Sequence, residues 1–244
     1  MAGFLVEFRM HGYAKEYAKD IVYSVAKKFR VRGVTRKKVV PHISLYGPGR
    51  TDDIGKVISA VKKVGRKYSL VPFKVKGFGY FDKTPKVIYF DISPSQELED
   101  LRWELSQELR KVSTGQSWDS RRNHSFHATI AFRDIDTKFN RIWSYLKSRE
   151  EPDISQYLLR ITVIGARRRI VCEYDLVLKR LLNRREALSK RLFQKTINRL
   201  RELQGLPPEK PTSLIERLKR LYGRLIIRPL PSKKATRPKE GGEK

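Results

Sequence analysis

The sequence predicts a bilobal α+β fold with two pseudo-symmetric strand–helix–strand lobes, whose antiparallel sheets face a central cleft, and a basic helical C-terminal extension. The first observation is a repeat of element order, because strand, helix, loop and strand occur at about residues 4–46 and again at about 87–132. The second is that each copy ends on a histidine tripeptide, His42-Ile43-Ser44 or His127-Ala128-Thr129, and the two histidines lie 85 residues apart. The third is a change in composition after about residue 182.

The first copy shows a change of hydrophobic period from strand to helix. The apolar run Phe4-Leu5-Val6-Glu7-Phe8 indicates a buried strand, and apolar residues at every fourth position from Tyr13 to Phe29 indicate one face of a helix. Thr51 has the character of an N-cap for a second helix. The predicted elements are, in order, a strand over 3–10, a helix over 13–29, a basic loop over 30–38, a histidine strand over 40–46 ended by Gly47-Pro48-Gly49, and a helix over 51–68.

A hairpin and a capped helix open the second copy. The turn Asp82-Lys83-Thr84-Pro85 separates two strand patterns, and Ser93, Pro94 and Gln96 have the spacing of a capping box. The predicted elements are, in order, strands over 73–81 and 87–92, a helix beginning after Ser93 with leucines 98, 101, 105 and 109 on one face, a polar loop over 114–123, a histidine strand over 126–132, a helix over 138–147, and β-rich runs over 157–165 and 170–178.

The chain beyond residue 182 is strongly basic. From Asn183 to Lys244 there are 18 Lys and Arg against 6 Asp and Glu. Leucines 188, 192 and 200 keep helical spacing, and a second capping box, Ser213 with Glu216, opens a short helix. We therefore predict a globular domain over 1–182, a basic helical extension over 183–227, and a disordered basic tail over 228–244.

The net charge of +28, from 54 Lys and Arg against 26 Asp and Glu, predicts a polyanionic partner. Nucleic acid is the favoured partner, although an anionic membrane surface or association with the ribosome would give the same composition. No run approaches the roughly 18 apolar residues of a membrane span, and residues 1–10 lack the pattern of a secretory signal. The single cysteine, Cys172, excludes an internal disulfide and a multi-cysteine zinc site. A cytoplasmic protein is expected.

The two histidine tripeptides have the composition of a phosphoryl-transfer site. Alternate side chains of a strand share a face, so His42 points with Ser44, and His127 points with Thr129. One neutral histidine can take a proton from water while the other, protonated, gives a proton to the leaving oxygen. The hydroxyls of Ser44 and Thr129 can hold the non-bridging phosphate oxygens. Such a site requires no metal and no other cofactor.

Two residues close to the motifs, Tyr46 and His124, can each be interpreted in two ways. Tyr46 continues the His42–Ser44 face, where its ring would either stack on a nucleobase or form a wall of the cleft. His124 lies three residues before His127, the spacing of a metal-binding pair, but no cysteine or acidic ligand accompanies it nearby. A loop residue that supports the site is the favoured interpretation of His124.

These residues resemble the 2H phosphoesterases, which include the 2′-5′ RNA ligases and RNA 2′,3′-cyclic phosphodiesterases. That family has two His-x-Thr/Ser-x motifs, which His42-Ile43-Ser44-Leu45 and His127-Ala128-Thr129-Ile130 match, and the resemblance covers about residues 3–180. It implies a bilobal fold with a central cleft, His42 and His127 as the acid–base pair, and Ser44 and Thr129 as phosphate-binding residues.

The chain departs from the family five positions after each histidine. Many members have an aromatic residue after the first motif, where this chain has Gly47, and arginine after the second, where it has Phe132. Arg133 follows one residue later, and it shares the face of His127 if the strand is regular to that point. Arg133 is therefore the candidate for the substrate-binding arginine.

Three functions are compatible with this pattern. The leading hypothesis is a phosphodiesterase that opens RNA 2′,3′-cyclic phosphate ends, tRNA being one candidate, to a monophosphate that by analogy with the family is the 2′-phosphate. The second is reversible ligation or cleavage of 2′-5′ linked RNA by the same site. The third is an RNA-binding protein that retains the fold without needing catalysis, for which the basic extension is the best support. A monomer is assumed by default.

Overall fold

The computed structural model describes residues 1–35 and 39–208, and it confirms the α+β class. In these two described ranges, nine strands form two antiparallel sheets. The strands are β1 Ala2–Arg9, β2 His42–Thr51, β3 Pro72–Phe81, β4 Val87–Pro94, β5 His127–Phe132, β6 Asp153–Tyr157, β7 Arg160–Ile164, β8 Ile170–Asp175 and β9 Arg180–Asn183. The α-helices are α1 Gly12–Phe29, α2 Ile54–Gly65, α3 Gln96–Arg110, α4 Phe139–Lys147, α5 Arg184–Ala187 and α6 Lys190–Leu203.

Each histidine strand lies at the edge of its own sheet. The five-stranded sheet has the order β2-β1-β7-β8-β9, and the four-stranded sheet has the order β5-β4-β3-β6. The two predicted β-rich runs contain β7 and β8, and the structure adds β6 before them and β9 after them. The chain passes from one sheet to the other between β6 and β7. One hydrophobic core includes residues of both sheets and of α1, α2, α3 and α4.

The repeated element order has the same pairing in both copies. Within each copy, the histidine strand pairs antiparallel with the strand that opens the copy, β2 with β1 and β5 with β4. Helix α1 of the first copy contacts β5 of the second, and α3 of the second contacts β2 of the first. Each helix therefore covers the histidine strand of the other copy, so the two histidine strands are held in one packed unit.

Two predicted helix caps are wrong for one reason. Helix α2 is capped by Asp53, whose side chain accepts from the Gly55 amide at 2.7 Å, and α3 is capped by Ser95, whose hydroxyl accepts from the Leu98 amide at 3.3 Å. The predicted caps Thr51 and Ser93 lie inside β2 and β4. Both strands are longer than their hydrophobic patterns indicate, because pairing with a neighbour extends them.

The first part of the basic extension packs on the sheets. Helix α6 lies in the same compact unit as the rest of the chain to Pro207, with Leu200 buried against Leu159 and Val177. Leu188, predicted on the same apolar face, is 54% exposed. The predicted helix after Ser213 and the tail over 228–244 lie outside the described residues. Within the described ranges no helix is long and apolar enough to span a membrane.

Candidate active site

His42 and His127 begin their strands in equivalent positions and with equivalent hydrogen bonds. In each ring Nδ1 lies close to the backbone carbonyl two residues earlier, Val40 O at 2.8 Å and Ser125 O at 2.9 Å. A carbonyl oxygen only accepts, so Nδ1 carries the hydrogen and donates it. The Nε2 atom of each ring is thereby the nitrogen that can accept a proton when the ring is neutral and donate one when it is protonated.

The surroundings of the two rings differ in charge. The Nε2 atom of His42 lies 3.7 Å from Oε2 of Glu7, and the His42 side chain is 39% exposed. Glu7 is buried, and this burial raises the pKa of its carboxyl, although the charges of His42 and Arg9 act in the opposite direction. The Glu7 carboxyl is therefore the acidic group beside the Nε2 atom of His42.

His127 has an aromatic environment. The rings of Phe81 and Tyr89 lie 5.0 Å and 5.2 Å from its ring, centroid to centroid, and Phe81 is edge-on to it. Burial lowers the pKa of His127, and the charge of His42 lowers it further, while the hydrogen bond to Ser125 opposes both effects. A neutral imidazole, which can accept a proton, is therefore favoured at His127.

Both histidine strands contain a β-bulge at the fourth residue of the motif. In β2, Ser44 pairs with Glu7 while Tyr46 pairs with Val6, which leaves Leu45 as the extra residue. In β5, Thr129 pairs with Tyr89 while Ala131 pairs with Ile88, which leaves Ile130 as the extra residue. A bulge shifts the alternation of side chains by one residue. Ser44 and Thr129 precede the bulges and stay half-buried in phase with their histidines.

The bulge at Leu45 makes the prediction for Tyr46 wrong. Because the alternation is reversed after Leu45, the Tyr46 side chain points into the core, where it is 1% exposed. Its ring stacks on Phe4 at 6.0 Å, and its hydroxyl is hydrogen-bonded to Ser113 Oγ at 3.1 Å. Tyr46 is therefore a core residue and cannot stack on a nucleobase.

The prediction for Arg133 required a regular strand as far as that residue, and the bulge at Ile130 breaks the regularity. With the alternation reversed, Phe132 is in phase with Thr129, and Arg133 lies beyond the strand with a positive φ of 74°. The Arg133 side chain is exposed, and its guanidinium lies over the Phe132 ring at 4.9 Å. The Arg133 side chain can therefore reach the strand face that carries His127 only by lying across the Phe132 ring.

His124 connects the two motifs. Its Nε2 lies 3.3 Å from the carbonyl oxygen of Ser44, so a residue just before the second motif donates to the backbone of the first. Burial, with a smaller contribution from the charge of Arg102, lowers the pKa of His124 to about 4. This contact supports the interpretation of His124 as a residue that holds the site. Among the described residues no group of three or more His, Cys, Asp or Glu side chains could hold a metal ion.

Two charged residues that sequence reasoning missed hold the loop before β5. Arg102 is fully buried and donates to the carbonyls of Trp118 at 3.0 Å and of Arg121. The buried carboxylate of Asp119 accepts from the amides of Gly47 at 3.2 Å and of Gln116 at 2.8 Å. The loop is thereby fixed both to α3 and to β2. The signal in the sequence was an arginine on the helix face of leucines 98, 105 and 109.

The part of the chain that carries both histidine motifs matches a known family. The family model of the 2′-5′ RNA ligase superfamily matches residues 22–168, which include both histidine motifs. A protein of Geobacillus sp. (strain WCH70), named "Putative phosphoesterase", is 32% identical over 69 residues, which are 28% of this chain and 40% of that protein. The chain therefore belongs to the 2′-5′ RNA ligase superfamily, the 2H phosphoesterases.

Proposed function

We propose that the protein is an RNA phosphodiesterase that opens terminal 2′,3′-cyclic phosphates to 2′-monophosphates without a metal ion. The observation that carries the proposal is the matched pair of histidines, each with Nδ1 bonded to the carbonyl two residues earlier and Nε2 available. In this proposal the two sheets face each other across a cleft that holds the phosphate. The effect of the charge of His42 on the pKa of His127, and the contact of His124 with Ser44, support that arrangement.

The two environments support different roles for the histidines. His127, whose pKa is lowered, takes a proton from water as the water oxygen bonds to phosphorus. The bond from phosphorus to O3′ breaks, and the imidazolium of His42 gives its proton to O3′. The products are a 3′-hydroxyl and a terminal 2′-phosphate, with His127 protonated and His42 neutral. Proton exchange with solvent restores the starting state.

The remaining site residues bind the phosphate in this proposal. The hydroxyls of Ser44 and Thr129 lie in phase with the two histidines and donate to the non-bridging oxygens as negative charge develops. In the same proposal the guanidinium of Arg133, which lies over Phe132, contacts a neighbouring phosphate of the RNA. The net charge of +28 steers an RNA substrate toward the protein.

A second candidate reaction uses the same site. The superfamily is named after 2′-5′ RNA ligation. That reaction differs from the proposed hydrolysis only in the group that attacks phosphorus. A ribose 5′-hydroxyl replaces water, gives its proton to His127, and forms a 2′-5′ phosphodiester as the bond to O3′ breaks. The same two histidines carry out the reverse reaction, which cleaves a 2′-5′ linkage.

The test is turnover of an RNA oligonucleotide ending in a 2′,3′-cyclic phosphate, with and without EDTA. We expect turnover in both conditions by the wild type, and a loss of at least about a hundredfold in His42→Ala and in His127→Ala. His11→Gln is the matched control, because His11 bonds to Tyr157 O at 3.0 Å and has no role in the mechanism.

Absence of turnover by the folded wild type would contradict the proposal. If the histidine variants also bind the oligonucleotide with unchanged affinity, a non-catalytic RNA-binding function would take its place.

A further inference from the structure

One face of the five-stranded sheet carries a buried row of charged and polar side chains next to His42. Glu7 of β1 pairs with Ser44 of β2 on one side and with Thr162 of β7 on the other, and Thr162 pairs with Glu173 of β8. Side chains of directly paired residues lie on the same face of a sheet. The row therefore begins at the active-site strand and runs across three further strands.

The inner part of this row is a densely bonded group around Arg160. The Arg160 guanidinium donates to Asp175 Oδ2 at 2.9 Å, to Glu173 Oε2 at 3.3 Å, and to Thr196 Oγ1 at 2.7 Å. Thr162 Oγ1 donates to Glu173 Oε1 at 3.0 Å. All five residues are buried. Charges are kept away from water only when they are paired in this way.

The outer part of the row connects this group to the imidazole of His42. Glu173 Oε1 lies 3.9 Å from Nη1 of Arg9, and Nε of Arg9 lies 3.9 Å from Oε1 of Glu7. The other oxygen of Glu7 lies 3.7 Å from Nε2 of His42. The chain of contacts thus ends on the atom that donates the proton in the proposed reaction.

The charges of the row balance only when His42 is protonated or Glu7 is neutral. Three carboxylates, Glu7, Glu173 and Asp175, face two guanidiniums, Arg9 and Arg160. Arg168, exposed on the turn that follows β7, also acts on Glu7, but from the solvent side, where its charge is screened. A proton on His42, whose side chain is 39% exposed, would supply the positive charge that the row lacks.

The far end of the row is closed by the basic extension. Thr196 of α6 accepts from Arg160 and donates its own hydrogen to Asp175 Oδ2 at 2.6 Å. The Phe193 ring of the same helix lies 5.1 Å from the Arg160 guanidinium. Helix α6 follows the stretch matched by the family model, which ends at residue 168.

We propose that Glu7 is a positioning residue that stabilises the protonated form of His42, and that Thr196 of α6 closes the buried row that holds Glu7 in place. This inference rests on the proposed function, because it assigns the origin of the proton donor in that reaction. It gives the first part of the extension a role in supporting the active site.

The first test compares Glu7→Gln and Glu7→Asp with the wild type, with the exposed Glu16→Gln of α1 as control. The Glu7→Gln variant keeps the shape of the side chain and loses its charge, so the imidazolium of His42 is less stable. We expect the alkaline limb of the kcat/KM profile to move to lower pH by about one unit. The acidic limb should stay in place, and Glu7→Asp should restore part of the shift. A folded Glu7→Gln variant with an unmoved alkaline limb would overturn the inference.

A second measurement does not depend on turnover. The ring resonances of His42 are followed by NMR as a function of pH in the wild type and in Glu7→Gln. We expect the midpoint of the His42 titration to fall in the variant and to stay in place in Glu16→Gln. A shifted midpoint in a protein that does not turn over the cyclic phosphate would leave the positioning role intact and contradict the proposed function alone. Equal midpoints would overturn the positioning role.

The role of α6 is tested in the full chain with Thr196→Val, which keeps the shape of the side chain and removes the hydroxyl. The exposed Thr137→Val is the matched control. We expect Thr196→Val to move the alkaline limb in the same direction as Glu7→Gln, by a smaller amount, and to have little further effect when Glu7→Gln is already present. A loss of thermal stability with an unmoved limb would show that α6 acts on stability alone, and additive shifts in the double variant would show that Thr196 acts on His42 independently of Glu7. Either result would overturn the role given to α6.

Discussion

At the scale of single residues, the two histidines of the site have the same backbone hydrogen bond but different surroundings. The same hydrogen bond to the carbonyl two residues earlier selects the tautomer of both rings. Their neighbouring side chains make the two environments different. His42 lies beside a buried carboxyl group, and His127 contacts two aromatic rings. The acid and the base of the proposed reaction are thus assigned by surroundings, since the two tripeptides are nearly alike.

The pH dependence of activity should report the aromatic environment of His127. Because burial lowers the pKa of His127, the acidic limb of kcat/KM should have its midpoint below about 6.5, the ordinary value for histidine. The variant Phe81→Ala lets water reach the ring and should move this limb to higher pH. Tyr80→Ala is the control, since the Tyr80 ring packs on Phe139 and Trp143 instead. An acidic limb that is the same in all three proteins would contradict the role of His127 as base.

The position of Tyr46 gives a second prediction at this scale. The variant Tyr46→Phe loses the hydrogen bond to Ser113, so the free energy of unfolding should fall by about 1 kcal/mol. The values of kcat and KM should not change, because the ring lies in the core. Denaturant unfolding and steady-state kinetics measure the two effects. A rise in KM without a loss of stability would mean that Tyr46 contacts substrate.

At the scale of the elements, the β-bulges decide which residues belong to the site. The sequence was sufficient to place His42, Ser44, His127 and Thr129 on strand faces, because each pair precedes the bulge of its strand. It was insufficient for Tyr46 and Arg133, which follow the bulges. A bulge depends on the partner strand, β1 or β4, so the pattern of one strand does not reveal it.

The charged row on the five-stranded sheet could be predicted from the sequence only in part. Glu7 interrupts an apolar run, and Arg160, Glu173 and Asp175 interrupt the β-rich runs, which signals polar groups in buried strands. That these strands pair side by side, with 150 residues and more of chain between some of them, could not be read from the local pattern.

The connection that His124 makes between the loop before β5 and β2 predicts a pH-dependent stability. The pKa of His124 is about 4 in the folded chain and about 6.5 when unfolded, so the unfolded chain binds more protons between these values. Its contribution, on the order of 3 kcal/mol, is fully present above pH 6.5 and is lost as the pH falls toward 4. The variant His124→Gln keeps a donor for Ser44 O and should show a smaller fall in the free energy of unfolding between pH 7 and pH 5. Equal falls would contradict the assignment.

At the scale of the whole molecule, the basic extension has two parts with different expected effects. Helix α6 belongs to the compact unit that ends at Pro207 and completes the bonding of Arg160 and Asp175. Residues 209–244 contain 11 Lys and Arg against 4 Asp and Glu. Their positive charge should strengthen RNA binding without sequence preference.

Two truncations separate these parts. A chain ending at residue 208 should keep its thermal stability and its turnover of a short cyclic phosphate, while RNA affinity falls and depends less steeply on salt. A chain ending at residue 183 also loses Thr196, so Arg160 and Asp175 each lose one buried hydrogen-bond partner, and its stability should fall as well. A chain ending at 208 with an unchanged salt dependence would contradict the role of the tail in RNA binding.

The central claim, that His42 and His127 together hydrolyse a cyclic phosphate, is tested most directly by turnover in ¹⁸O-labelled water. The substrate is an oligonucleotide with a terminal 2′,3′-cyclic phosphate, and ³¹P NMR and mass spectrometry identify the product. We expect a terminal 2′-monophosphate with one ¹⁸O atom from the wild type and from His11→Gln, and no product from His42→Ala or His127→Ala in the same time. No labelled product from the folded wild type, or equal turnover by either histidine variant, would contradict it.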